Sequence, residues 1–211
     1  MIQIIPAIIA KNFQELNEKI KKIEPYVEWA QLDVMDGKFV NNKTWNSPYN
    51  LKDLETNLNL EVHLMIDDPE EVIDDWINSG VKRIIFHYEA TDKHEEILRK
   101  IKEARLETGI ALNPETSINI LDDFINQLDL ILIMTVNPGF GEQRFLNESV
   151  DKIKQLREKY KSVNLEVDGG INLKTAPEVI KAGVNILAVG SAIFKSNNIE
   201  ETIRELKNIN I

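Results

Sequence analysis

The chain contains no cysteine, which excludes a disulfide framework and a thiolate metal site and is compatible with a reducing compartment. Positive charge is scarce: 25 Lys and Arg against 35 Asp and Glu leave a net charge of -10. Without a dense basic run the sequence offers no nucleic-acid footprint, so an anionic ligand must be held locally by backbone amides or a few placed cations. Long apolar runs are also missing, and none approaches the roughly 20 residues of a membrane span. The opening "MIQIIPAIIAKNF" lacks a basic leader and is broken by Pro6, so it reads as a strand rather than a signal sequence. Linkers rich in Ser, Gly or Pro and low-complexity tracts are absent from the sequence. With 211 residues and 43% hydrophobic content, one core spanning 1–211 is expected in a cytoplasmic protein with neither nucleic-acid nor membrane partners.

What is present is a regular alternation. Short runs rich in Ile, Val and Leu predict strands at Gln3–Ile9, Trp29–Val34, Leu60–Leu64, Arg83–His87, Thr108–Leu112, Leu130–Thr135, Leu165–Asp168 and Ile186–Gly190. Between several of them lie stretches such as "NFQELNEKIKKI", "PEEVIDDWINSG", "KHEEILRKIKEA" and "ESVDKIKQLREKY", apolar at helical spacing on one face and charged on the other. Pro69 and Pro177 suit first helical turns, and Gly80 and Gly183 suit C-terminal caps. The pattern predicts a parallel sheet closed as a (β/α)8 TIM barrel, with an open doubly wound sheet as the alternative.

Such a barrel gathers its working residues at the carboxyl ends of its strands. In order, these ends offer Asp33, His63, His87, Asn113, Thr135, Asp168 and Ser191. A single aspartate there is ordinarily a turn or cap residue, and "DG" assigns Asp36 that role; the convergence of several polar groups on one mouth points to chemistry. His94, in a charged helix, reads as solvated. Three glycine segments, "NPGFGEQ" at 137–143, "DGGIN" at 168–172 and "GSAIF" at 190–194, each follow a strand. Backbone there can approach a ligand closely, and the last two fit the phosphate cradle that barrels build after strands seven and eight.

The stretches "LDVMDGKFV", "EVHLMI", "FHYEA", "ALNPET", "MTVNPGFGEQRF", "EVDGGIN" and "AVGSAIF" resemble, in order and spacing, the ribulose-phosphate 3-epimerase family over essentially the full length. The resemblance implies interconversion of ribulose 5-phosphate and xylulose 5-phosphate, with Asp33 and Asp168 as the acid and base. It implies a divalent metal, zinc, iron or manganese, on Asp33, His63 and Asp168, with Gln31 at the position of the fourth ligand. Substrate would meet His63 and the backbone at Gly139, Phe140, Gly141, Glu142, Gly169, Gly170, Gly190 and Ser191. Met35, Met65 and Met134 would line the pocket, and His87 would stand in the core or behind the ligands. A homodimer or hexamer is implied as well.

Two carboxylates suit this chemistry on general grounds, since inverting a carbon next to a ketone requires a base on one face and an acid on the other. The resulting enediolate needs a Lewis acid or preorganised donors. This chain departs from the family at Gln31, usually histidine, at Ala7, usually a substrate-touching serine, at Asn41, usually proline, and at Glu142, usually glycine. The amide oxygen of Gln31 is a hard ligand, better suited to manganese, magnesium or calcium than to zinc. These departures keep two other readings open: an epimerase for another ketose phosphate, and a non-catalytic sugar-phosphate binder.

Overall fold

Eight parallel strands pair in sequence order and close on themselves, β1 against β8, in the computed structural model, which describes residues 2–139 and 143–209. They are β1 (Gln3–Ile8), β2 (Trp29–Met35), β3 (Asn59–Met65), β4 (Arg83–His87), β5 (Glu107–Leu112), β6 (Leu130–Met134), β7 (Asn164–Asp168) and β8 (Ile186–Val189). Each was legible as a short β-branched or leucine-rich run, and the closed order settles the architecture as the TIM barrel rather than the open sheet.

The helices are α1 (Phe13–Ile23), α2 (Ile73–Ile77), α3 (His94–Glu103), α4 (Ser149–Lys159), α5 (Ala176–Ala182), α6 (Ser191–Phe194) and α7 (Ile199–Lys207). The Asn12 side chain caps α1 by accepting from the Glu15 amide, and Leu16, Ile20 and Ile23 form its buried face. Gly183 ends α5 with φ +117, the left-handed C-cap its position predicts. The stretch after Asp67 departs from expectation. Instead of one helix there is a 3-10 turn at Pro69–Glu71 and then the short α2, and the two meet at Val72, whose φ of -118 departs from helical backbone. The β2–β3 and β5–β6 connections carry 3-10 turns alone, at Pro48–Asp53 and at Ile118–Asp123 with Ile125–Gln127.

His94 is a correction: it is buried rather than solvated. Its ring stacks on Tyr88 at 4.3 Å and lies 5.3 Å from Phe124, and its Nε2 pairs with the Tyr88 carbonyl oxygen at 2.8 Å. Although the first turn of α3 is acidic, position 94 faces inward, onto an aromatic patch made by Tyr88, just after β4, and Phe124 of the β5–β6 connection.

Residues alternate between two apolar regions. Ile4, Ile8, Val62, Leu64, Ile84, Phe86 and their equivalents point outward to a core shared with the helices, which includes Trp76 and Leu98. Inside the barrel a smaller apolar set, Ile5, Ile85, Ala111, Leu130, Leu132 and Ile186, shares the space with charge. Glu61 and Glu166 are wholly buried, and Arg83 is 3% exposed. The Arg83 guanidinium donates to Glu61 at 2.5 Å and to Glu107 at 2.8 Å, lies 3.8 Å from Glu166, and covers the Trp29 ring at 4.4 Å. Burial raises the Glu61 carboxyl; burial and the Glu61 charge push that of Glu166 well above its ordinary range.

Removing the cation from this buried cluster would leave Glu61 unpaired in the interior. Urea denaturation should therefore show Arg83→Met destabilised by about 3–5 kcal/mol. Glu107→Gln, at a side chain 45% exposed, should cost less than about 1 kcal/mol. Equal small costs for both would show that the cluster is already neutral without Arg83.

Candidate active site

The residues two places further along the inward faces of β2, β3 and β7 form the mouth of the barrel. Asp33 pairs in register with His63 across β2 and β3, while Asp168 ends β7 on the far side. Ligand atoms of Asp33, His63 and Asp168 lie within 4.8 Å of one another. His63 Nδ1 is 3.3 Å from Asp33 Oδ1 and 3.4 Å from Asp168 Oδ2. Gln31, one pleat below Asp33 and wholly buried, donates from Nε2 to the same two oxygens at 2.7 and 2.8 Å.

Position and charge set the protonation of this group. Burial and the neighbouring Asp168 raise the Asp33 carboxyl to about 6, against the lowering effect of His63 and Gln31. Burial alone would lower the His63 imidazole, but the two carboxylates outweigh it and bring it up to about 9. Behind it, His63 Nε2 faces His87 Nε2 at 2.9 Å, and His87 Nδ1 lies 3.3 Å from Glu89 Oε2. The His87 imidazole is lowered to about 4, chiefly by burial, so the ring is neutral at pH 7. With Nδ1–H donated to Glu89, His87 accepts at Nε2, and His63 donates its Nε2–H. That leaves His63 Nδ1 directed at the carboxylates as a proton donor or, once deprotonated, as a lone pair.

The donor set fits a divalent ion. Two carboxylates and an imidazole converge, and His63 Nδ1, 3.3 and 3.4 Å from the carboxylate oxygens, completes no hydrogen bond among the described residues. A buried nitrogen so placed between two carboxylates is what such an ion would satisfy; the Gln31 amide turns Nε2, not Oε1, to the same oxygens.

Above this floor opens a cavity with about 570 Å³ of empty space, part of it open to solvent. Met35, Met65 and Met134 line it with Asp33 and Asp168, as do Ala7, Gly139, Gly169, Gly170, Gly190 and Ser191. His63 is not on the wall; it lies wholly buried beneath the carboxylates. Phe140, Gly141 and Glu142 fall outside the described residues. At Gly169 a side chain is excluded outright: φ is +117, and a Cβ would come within 2.5 Å of Val136.

Two strand-end residues do not join the mouth. Thr135 is wholly buried, its hydroxyl donating to the carbonyls of Asp168 and Gly169 at 3.0 and 2.5 Å. The Asn113 amide donates to Glu89 Oε1, and its carbonyl accepts from Lys152. Sequence reasoning also missed Thr44. Its hydroxyl donates to the Asp33 carbonyl at 2.8 Å and accepts from the Met35 amide at 2.9 Å, fixing the end of β2. The loop it belongs to packs against pocket residues: Val40 clusters with Met35 and Met65, and Asn42 donates to the Gly139 carbonyl at 2.8 Å. Asp36 is a turn residue, accepting from the amides of Lys38, Phe39 and Asp67. Arg144 and Lys195 border a groove that adjoins the cavity at Gly170 and Ser191.

Comparison with known proteins agrees with this geometry. The sequence model of the Ribulose-phosphate 3 epimerase family matches residues 3–194. A ribulose-phosphate 3-epimerase of Schizosaccharomyces pombe is 38% identical, covering 98% of this chain and 92% of its own. That of Bacillus subtilis is 37% identical over 98% and 99%. A chloroplastic ribulose-5-phosphate-3-epimerase of Arabidopsis thaliana is 39% identical over 98% and 76%. Among solved structures, 3-hexulose-6-phosphate synthase from Salmonella typhimurium superposes with a TM-score of 0.74 at 14% identity, covering 97% of this chain and 96% of that one. A mutant tryptophan synthase α-subunit from Pyrococcus furiosus superposes at 0.75 and 15%, over 99% and 100%; these two likenesses speak for the fold.

Glu89 anchors the chain of imidazoles. Burial would raise its carboxyl, but hydrogen bonds from His87, the Thr116 hydroxyl and the Asn113 amide hold it down to about 2 from an ordinary 4.5. A carboxyl depressed on folding adds stability above its unfolded pKa and loses it as pH falls through the folded one. The stability of the native protein relative to Glu89→Gln should thus be greatest above pH ~4.5 and vanish towards pH ~2. Urea unfolding at stepped pH measures it; a difference independent of pH would show that the charge on Glu89 contributes nothing.

Proposed function

Because the chain belongs to the ribulose-phosphate 3-epimerase family and is an isomerase of that kind, we propose that it inverts carbon 3 of D-ribulose 5-phosphate to give D-xylulose 5-phosphate, with Asp33 and Asp168 as acid and base. The observation that carries this reading is the meeting of two carboxylates from non-adjacent strands at the floor of a glycine-rimmed cavity. Between them a substrate carbon has a proton acceptor on one face and a proton donor on the other. Asp33, raised to about 6, lies near enough to neutrality to exchange a proton in either direction.

Removal of the carbon-bound proton by one aspartate produces an enediolate, which the other reprotonates from the opposite side, so both directions of the reaction use the same pair. A divalent ion held by Asp33, His63 and Asp168 supplies Lewis-acid stabilisation of the enediolate oxygens when bound. Met35, Met65 and Met134 exclude water from the reacting carbon and place soft sulfur beside it. The backbone amides at Gly139, Gly169, Gly170, Gly190 and Ser191 receive the phosphate. This explains how a chain of net charge -10 binds an anion without a basic patch. The whole chain acts as one barrel domain.

A second reading, epimerisation of a different ketose phosphate, draws on Ala7, whose methyl group lines the cavity where the family usually presents a serine. Loss of that hydroxyl removes one hydrogen bond to the sugar.

Proton NMR of D-ribulose 5-phosphate in heavy water, before and after chelation and metal restoration, tests the proposal. Deuterium should enter at carbon 3 as xylulose 5-phosphate appears. Asp33→Asn and Asp168→Asn should each slow both processes by roughly 10²–10⁴-fold. Exchange with a hexulose phosphate instead would favour the second reading, and binding without exchange of any ketose phosphate would sink both.

A further inference from the structure

Gln31 is the part of this site that the proton transfers leave unused. Its amide is wholly buried, and the two ends of that amide have opposite fates. Nε2 makes two charge-assisted hydrogen bonds, to Asp33 Oδ1 and Asp168 Oδ2, at 2.7 and 2.8 Å. Oε1 has no partner among the described residues. Burying a carbonyl oxygen unpaired costs about 1–3 kcal/mol, a penalty that the two bonds at the other end offset.

The reverse orientation would set Oε1 against the same two carboxylate oxygens. With no cation between them this is repulsive, so the amide stays a donor and bridges the two carboxylates. With a cation there, the signs invert: a carbonyl dipole pointing at the ion is favourable and an N–H is not. A half-turn of one side-chain amide therefore separates a state that screens two like charges from a state that adds a fourth ligand to Asp33, His63 and Asp168. Strand alternation already aims the side chain at that point, because Gln31 and Asp33 share the inward face of β2.

Resting on the reading of this site as a metal centre, we propose that Gln31 tunes the site towards a hard, oxygen-preferring divalent cation of the manganese or magnesium kind and away from zinc, turning its amide from carboxylate bridge to ligand as the ion enters. The donor set is then three oxygens and one nitrogen, where an imidazole at position 31 would make it two and two. Zinc gains from imidazole, whereas manganese and magnesium are served well by neutral oxygen. Every ion also has to displace the two amide hydrogen bonds, so binding is weaker overall and the cation-free site is a well-formed state.

The test uses the full chain after chelation, with circular dichroism to establish that each variant is folded. Manganese and zinc binding are measured separately by calorimetry for the native protein, Gln31→His and Gln31→Leu. In Gln31→His, zinc affinity should rise relative to manganese affinity by roughly tenfold or more. In Gln31→Leu, which keeps the bulk without the oxygen, manganese affinity should fall by roughly tenfold or more. Electron–nuclear double resonance of the manganese-loaded proteins should detect one coordinating nitrogen in the native chain and a second in Gln31→His. An unchanged zinc-to-manganese ratio in Gln31→His, or undiminished manganese binding by Gln31→Leu, would overturn the inference while leaving the metal centre standing. If neither ion binds the native protein or either variant, the metal centre itself falls and the inference with it.

Discussion

Two carboxylates that would repel one another are held together by nitrogen, and the geometry of the mouth follows from how that is done. Asp33 and Asp168 come from non-adjacent strands, β2 and β7, and the imidazole of His63 and the amide of Gln31 both reach the same pair of oxygens. A protonated imidazole between two carboxylates offsets much of their repulsion, and the price of burying so many polar groups is met by satisfying most of them. The chain from His63 through His87 to Glu89 fixes the tautomer on which the arrangement depends. Thr44 steadies the backbone on which Asp33 stands.

A second polar layer lies deeper in the barrel. Glu61, Arg83 and Glu166 occupy the interior towards the amino ends of their strands, closed off by the Trp29 ring. The barrel is thus not a uniformly apolar core. Leucine, isoleucine and alanine fill the interior of β5, β6 and β8, while β2, β3, β4 and β7 carry the charge. The helices answer to a separate apolar surface outside the sheet, so demands on stability and demands on the site fall on opposite faces of the same strands.

Much of this was legible in the sequence for physical reasons. Parallel strands buried on both faces read as unbroken β-branched runs, and Asp33, His63 and Asp168 were visible because each ends or nearly ends such a run. The three methionines and the glycines of the rim were visible for the same reason. Less local features were not. Asn113 and Thr135 occupy equivalent strand ends, yet their hydrogen bonds lead towards backbone and neighbouring loops, a choice set by partners distant in sequence. His94 looked solvated because its own helix is charged, and its burial is decided by Tyr88 and Phe124. Arg83 and Glu61 looked like ordinary charged residues, since their pairing needs a register that only the closed sheet supplies. The interruption at Val72 gave no warning either, because the apolar spacing on both sides of it is helical.

Above Trp29 and Asn59, the register between β2 and β3 sets three further inward rungs in sequence: Gln31 beside Glu61, Asp33 beside His63, and Met35 beside Met65. Because inward residues recur every second position, each rung is a pair of side chains separated by one pleat from the next. Ascending the barrel, the rungs pass from Gln31 and Glu61 through Asp33 and His63 to the apolar rim of Met35 and Met65. Such a stack is layered but not divisible: a replacement leaves the backbone ladder and the places of the other rungs unchanged, yet Gln31 reaches up one pleat to Asp33 Oδ1, so a change on its rung is felt as a change of acidity on the rung above. The ladder thereby lets the chemistry of the mouth be altered from beneath, at a position that the cavity wall does not contain.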